Sequence, residues 1–194
     1  MRTYPYTMEN GAGEQITFIG IVHDADGDRI VGEGRAQPGA GPPMHVHYLE
    51  EEGFTVKAGT IGYQILGQEP RYANQGETVA FAPGIGHRWW NAGTTEVRFA
   101  GWAKPPNNHE YILAAIFASM KRNGGKRPSV FDTAFLLRRY RTESGMFNIP
   151  IFVLKVIFPI VALVGKMLGK YEHFTDAPEP LDGSTVPTPQ ARVV

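Results

Sequence analysis

A chain of 194 residues, 42% of them hydrophobic, is long enough to bury one good core and reads as a single domain with appendages rather than two full domains. Lysine plus arginine and aspartate plus glutamate balance at 19 each, so nothing in the charge favours a polyanionic partner such as DNA or RNA. There is no cysteine, which removes disulfides, thiolate metal sites and cysteine nucleophiles together and leaves any metal to imidazole and carboxylate.

The first residues, MRTYPYTMENGAGEQ, carry no apolar run after their arginine and so lack the core of a signal peptide; the expectation is a cytoplasmic protein. From about Gln15 to Lys104 short apolar alternations are broken by glycine, proline and asparagine, the signature of an antiparallel all-β unit. ITFIGIV, RIVGEGR, GFTVKAG, TIGYQIL, ETVAFAP and EVRFAGWA are the strand candidates. Their spacing suits a sandwich or small barrel, since βαβ units need helical crossovers. The acidic turn HDADGDR lacks the distal glutamate of a calcium loop and reads as an Asp/Gly turn.

After PPNN at residues 105–108 the pattern becomes helical. HEYILAAIFASMKRNGG has asparagine available as N-cap, Glu110 in its first turn, Lys121 and Arg122 in its last, and Asn123-Gly124 as a stop. A second helix is expected from about Ser129 to Arg141, with Ser129 as cap and Asp132 three residues on. The segment from Ile149 to Lys170 is the most apolar in the chain; on a helix its lysines, Pro159 and Ala162 share a sector of roughly 80°, and nearly all the rest of the circumference is apolar. The lysines and a central proline count against spanning a bilayer, an interfacial position with the lysines toward headgroups is the second reading, and packing against the barrel and a second subunit is the preferred one, making a homodimer. From Asp176 onward, proline and small polar residues predict a disordered tail. The expected division is therefore a barrel over 1–104, a helical extension over 105–175 and a tail over 176–194.

The chemistry concentrates in GPPMHVHYLEEEGF, from Gly41 to Phe54. His45 and His47 are two apart, so on a strand both imidazoles leave one face. In the next strand Glu52 shares its parity with Phe54 and Val56, and a carboxylate on an otherwise apolar inward row needs a compensating cation. Glu50 and Glu51 are then solvated turn residues. His87, in APGIGHRWWN, shares a strand face with Trp89 and completes a set of three imidazoles and one carboxylate, suited to manganese, iron, cobalt, nickel, copper or zinc. His23, His109 and His173 read as surface or capping residues.

These residues resemble the two motifs of the cupins, G(X)5HXH(X)3,4E(X)6G and G(X)5PXG(X)2H(X)3N. The first is met by Gly39, His45, His47, Glu52 and Gly59; the second by Gly76, Gly84, His87 and Asn91, departing only at Ala82, where Pro83 is displaced by one position. The resemblance implies a mainly β fold, a double-stranded β-helix or jelly-roll barrel followed by C-terminal α-helices. It also implies one divalent transition metal ion held by His45, His47, Glu52 and His87. It does not imply a reaction, because cupins include dioxygenases, decarboxylases, isomerases, epimerases, lyases and proteins without known catalysis.

On the same parities Phe54, Tyr63, Trp89 and Phe81 face inward, as barrel filling or as the lining of a substrate pocket. An aromatic lining suits a planar or apolar organic molecule better than a phosphorylated sugar. The leading expectation is an oxidoreductase of the dioxygenase type. Against it stand a redox-neutral isomerase or lyase, in which Tyr63 or a glutamate moves the proton, and a non-catalytic small-ligand-binding module.

Overall fold

A computed structural model describes residues 3–182. Ten strands precede the first helix: β1 (Tyr6–Glu9), β2 (Glu14–Asp24), β3 (Gly27–Ala36), β4 (His45–His47), β5 (Glu51–Ala58), β6 (Thr60–Ile65), β7 (Arg71–Asn74), β8 (Thr78–Phe81), β9 (His87–Asn91) and β10 (Val97–Lys104). They form two antiparallel sheets, one ordered β1-β2-β3-β10-β5-β8, the other containing β4-β9-β6-β7. The fold is mainly β, as the alternation predicts, and all six strand candidates are strands.

The sheets close face to face over one apolar core. Phe54, Val56 and Phe99 from the first sheet meet Ile61, Ala73 and Trp89 from the second. The rings interlock edge-on or tilted, with Phe54 6.2 Å from Trp89 and 6.0 Å from Phe99, and Trp89 4.9 Å from Phe99. Such geometry fills a barrel interior with little void.

Two residues of the resembling motifs act as fasteners. Gly59, between β5 and β6, sits at φ 85°, open to glycine, and a Cβ there would press on Val97. Asn91 is buried at the end of β9, where its amide donates to the Ala36 carbonyl (2.7 Å) and the Thr95 carbonyl (2.8 Å) and its Oδ1 accepts from the Gly93 N–H (2.8 Å). Replacing Asn91 with alanine orphans three backbone groups, and chemical denaturation should read a loss of about 2–3 kcal/mol.

The chain then adds α1 (His109–Arg122), α2 (Val130–Arg139), a three-residue strand β11 (Ser144–Met146) and α3 (Phe158–Met167). Ser129 caps α2 as expected, accepting from the Asp132 N–H at 3.0 Å. The asparagine cap expected for α1 is not made: Asn108 occupies the position, but its side chain donates to Glu143 and to the Glu179 carbonyl instead. α1 packs against β1, where the Tyr4 and Tyr6 hydroxyls both donate to Glu110.

The C-terminal part carries helices as expected and adds a strand: β11 pairs with β4, Ser144 opposite His47 and Met146 opposite His45, and becomes the edge of the second sheet. One expectation is corrected: residue 176 is not the start of disorder. The Pro178 carbonyl accepts from Arg139 and from the Tyr140 hydroxyl, and the Leu181 N–H donates to Glu143, so 176–182 lies fastened to α2 and the loop after it. The remainder of the expected tail, 183–194, lies outside the described residues.

The apolar segment 149–170 is helical but interrupted. A π-helical turn over Val153–Ile157 precedes α3, with the Phe158 N–H bonded to the Val153 carbonyl. Pro159 is the cause: it has no N–H and its ring crowds the carbonyl four residues back, so the helix widens there. Phe158 and Gly165 face inward, Gly165 close to Tyr171 and Phe131, while the opposite side of α3 is exposed.

Candidate metal centre

Three strands from two sheets bring the predicted donors together. β4 presents His45 and His47 on one face and turns Val46 into the core; His87 opens β9 directly opposite His45; Glu52 lies on β5 in the facing sheet, paired with Phe81 of β8. The Gly84 N–H, in the proline-glycine turn before β9, donates to the His47 carbonyl at 2.7 Å, which ties that turn to the end of β4. The four ligating atoms lie within 4.8 Å of one another. Glu52 Oε2 stands 2.9 Å from His87 Nε2, 3.2 Å from His47 Nε2 and 3.7 Å from His45 Nε2.

The tautomers of two rings follow from their other nitrogens. His45 Nδ1 faces the Pro43 carbonyl at 2.8 Å and His87 Nδ1 faces the Ile85 carbonyl at 2.9 Å. A carbonyl only accepts, so both Nδ1 atoms carry hydrogen and donate. In the neutral ring each Nε2 then turns a lone pair toward the lone pairs of Glu52. That juxtaposition is repulsive unless a proton or a metal ion lies between, and neutral imidazoles oriented through Nδ1–H to backbone carbonyls are a common ligand arrangement. The donor set therefore fits a divalent transition metal.

The electrostatics are those of a partly buried cluster. Without an ion, protons on Nε2 close the same contacts: burial pushes the Glu52 carboxyl up, but His45, His47 and His87, once protonated at Nε2, donate to it, outweigh burial and hold it well below the usual range. Burial pulls His47 down. His45 is pulled the same way, yet its hydrogen bond and charge interaction with Glu52 prevail and raise it. His87 is the deepest of the four donors, with Phe81 stacked on it at 3.9 Å and 8° between planes. The side chains of His45, His47 and Glu52 keep 13, 15 and 20% exposure, so solvent reaches the cluster from one side.

Two readings of single residues are corrected. His109 is not a surface or capping residue: it opens α1 with its ring 4.9 Å from that of His47, and burial, followed by the charge of His47, pushes its pKa down to about 4. The signal was in the chain order. β10 ends beside β5, Ala103 opposite Glu52, and five residues later the chain is back over the ligands. Glu50 is not a solvated turn residue either; it is buried, accepts from Asn107 Nδ2 at 2.7 Å, and burial lifts its pKa to about 7, with Glu143 adding to the rise. Glu51 begins β5 and accepts from Trp102 Nε1 at 3.4 Å.

The other histidines fit their surface reading. His23 is exposed beside Asp28, and His173 bonds Asp132, which also takes Arg122. Of the aromatic candidates, Phe81 lies against His87 and Tyr63 is half-buried, 6.1 Å from Phe81; Phe54 and Trp89 belong to the packed core. Arg35 and Arg98, opposite one another on β3 and β10, are exposed and point away from the barrel interior.

Residues 32–103 match the family model described as the cupin domain. Among curated proteins, the chain is 32% identical over 75 residues to "Oxidoreductase iacF" of Pestalotiopsis fici, covering 38% of this chain and 37% of that one. It is 24% identical over 148 residues to "Probable oxidoreductase virH" of Hypocrea virens, covering 71% and 68% respectively. The chain thus spans little more than a third of the first relative. Among solved structures it is similar to an RmlC-like cupin from Shewanella frigidimarina at 15% identity and TM-score 0.46, covering 55% of this chain and 89% of that one. A double-stranded β-helix protein from Klebsiella pneumoniae is matched at 20% identity and TM-score 0.42, covering 55% and 84%. Both motifs meet at one four-donor cluster in a two-sheet barrel, and the cupin domain is matched across residues 32–103 of that barrel, so this part of the chain is a cupin domain.

Proposed function

We propose that this protein is a metal-dependent oxidoreductase of the dioxygenase type acting on a small aromatic or apolar organic substrate. The observation that carries the reading is the set of three imidazoles and one carboxylate whose lone pairs converge and call for a cation. A bound iron, manganese, nickel, copper, cobalt or zinc ion would supply Lewis acidity and, where redox-active, a route for electrons. The names of the two curated relatives, both oxidoreductases, support the reaction class.

The chain's own residues do the rest. His45, His47, His87 and Glu52 hold the ion, the two Nδ1–H bonds keep His45 and His87 from rotating, and Phe81 keeps water from the back of His87. His109 offers a ring nitrogen from α1 on the side that the strands leave open, and is a positioning residue for substrate. Tyr63 is the candidate for moving a proton. The outward placement of Arg35 and Arg98 argues for an uncharged substrate. In this reading residues 1–104 supply the site, and 105–175 cover and brace it.

Metal analysis of protein purified without added metal, then oxygen uptake over aromatic diols, flavonoids and diketones, tests the proposal. An iron-, copper- or nickel-loaded sample that consumes no oxygen with any of them overturns it, and a zinc protein that isomerises a carbonyl substrate would replace it with redox-neutral chemistry. His109→Ala should leave metal content unchanged and raise KM about tenfold, more than it lowers kcat, the effect of losing one hydrogen bond of roughly 1.4 kcal/mol.

A further inference from the structure

α3 is apolar on two opposite sides. Phe158 and Gly165 are turned in against neighbouring helices and Tyr171. On the other side Ile160, Leu163, Val164, Met167 and Leu168 follow the i, i+3, i+4, i+7, i+8 pattern of a helix face that expects a partner, and this is the exposed side, Leu163 at 61% and Met167 at 78%. Phe152, at 60%, extends the strip beyond the π-helical turn. A contiguous exposed apolar strip of this kind marks a binding surface.

What covers it is indicated by the charges around it. Lys155, Lys166 and Lys170 are exposed, and from Ser144 to Tyr171 the sequence has no aspartate or glutamate. A second copy meeting this face about a two-fold axis would set lysines against lysines with no carboxylate on the segment to answer them. An anionic lipid surface answers both features at once, taking the apolar side chains at the acyl boundary and the lysine heads at the phosphates. The segment lies on such a surface rather than through it, because no helix among the described residues is long and apolar enough to cross a membrane.

We propose that residues 152–170 form an in-plane docking face for an anionic phospholipid bilayer. The strip begins close to the metal centre along the chain. Phe147, itself exposed, donates its N–H to the Met44 carbonyl next to His45, and Ile151 follows four residues later, at most about 14 Å away. Docking through this face would hold the barrel near the bilayer, where an apolar small molecule concentrates. The proposal does not depend on the reaction assigned to the site.

The full chain is tested by sedimentation with phosphatidylcholine vesicles with and without phosphatidylserine, alongside light-scattering mass in the absence of lipid. Expected are a monomer and a partition onto phosphatidylserine vesicles about tenfold or more above that onto phosphatidylcholine alone, falling as salt rises. Leu163→Glu/Met167→Glu should abolish sedimentation with metal content unchanged, and Lys155→Gln/Lys166→Gln/Lys170→Gln should remove the preference for phosphatidylserine. A stable dimer that ignores vesicles and is split by the glutamate pair would overturn the proposal in favour of a second copy. Absence of sedimentation by a monomer, or sedimentation untouched by the glutamate pair, would overturn it outright.

Discussion

Replacing His47 with alanine is expected to lower metal affinity by more than about a hundredfold, since losing even an outer partner of a ligand costs up to that much. Metal content after desalting should fall sharply, and the rise in melting temperature that added metal gives the unaltered protein should vanish, a stabilisation of roughly 2.7 kcal/mol when metal stands at a hundred times its Kd. His47 is the right ligand to remove. His87 is buried beneath Phe81, so its loss would leave a hole in the barrel as well as an open coordination position, whereas the His47 side chain retains 15% exposure and its loss leaves packing largely intact. His23→Ala, exposed beside Asp28, serves as the comparison and should change nothing. Unchanged metal content in the His47 variant would remove the assigned centre.

Phe54→Ala should destabilise the protein by about 3–5 kcal/mol, read as a shift of the denaturant midpoint with the slope preserved. The ring is 2% exposed and stands between Phe81, Trp89 and Phe99, so alanine would leave a cavity those rings cannot collapse into without leaving their own contacts. The same variant decides a functional question. If Phe54 lined an open pocket its truncation would enlarge empty space that already exists, costing below about 1 kcal/mol and changing substrate choice instead.

The barrel is legible in the sequence because its signals are local. Strand alternation, the positive-φ glycines and the HxH spacing each act within a few residues, and strand parity alone leads to Glu52 by way of Phe54 and Val56. Where the sequence misleads, partners distant in the chain decide the outcome. β11 is three residues, Ser-Gly-Met, with no strand pattern of its own; it is extended because β4 offers unpaired backbone groups. β7, with only Ala73 buried, is a strand for the same reason. Glu50 has the composition of a turn residue and is buried because Asn107 and Glu143 come over it. His109 can be placed only by knowing where β10 ends. Asn108 would cap α1 in isolation, but its amide nitrogen is held by Glu143 and the Glu179 carbonyl, and the side chain makes no cap bond.

The pairing of β11 with β4 also sets an order of events at the ribosome. His45 and His47 sit on a strand whose second neighbour, Ser144 to Met146, is translated roughly a hundred residues later. Until that stretch emerges, the strand carrying two of the four donors is a sheet edge, free to fray, while Glu52 and His87 are already bracketed by β8, β10 and β6. Capture of an ion with full affinity would thus wait for a polypeptide extended past Met146, and a chain ending before Ser144, even one carrying every donor, would present a loosely held pair of imidazoles instead of a closed chelate.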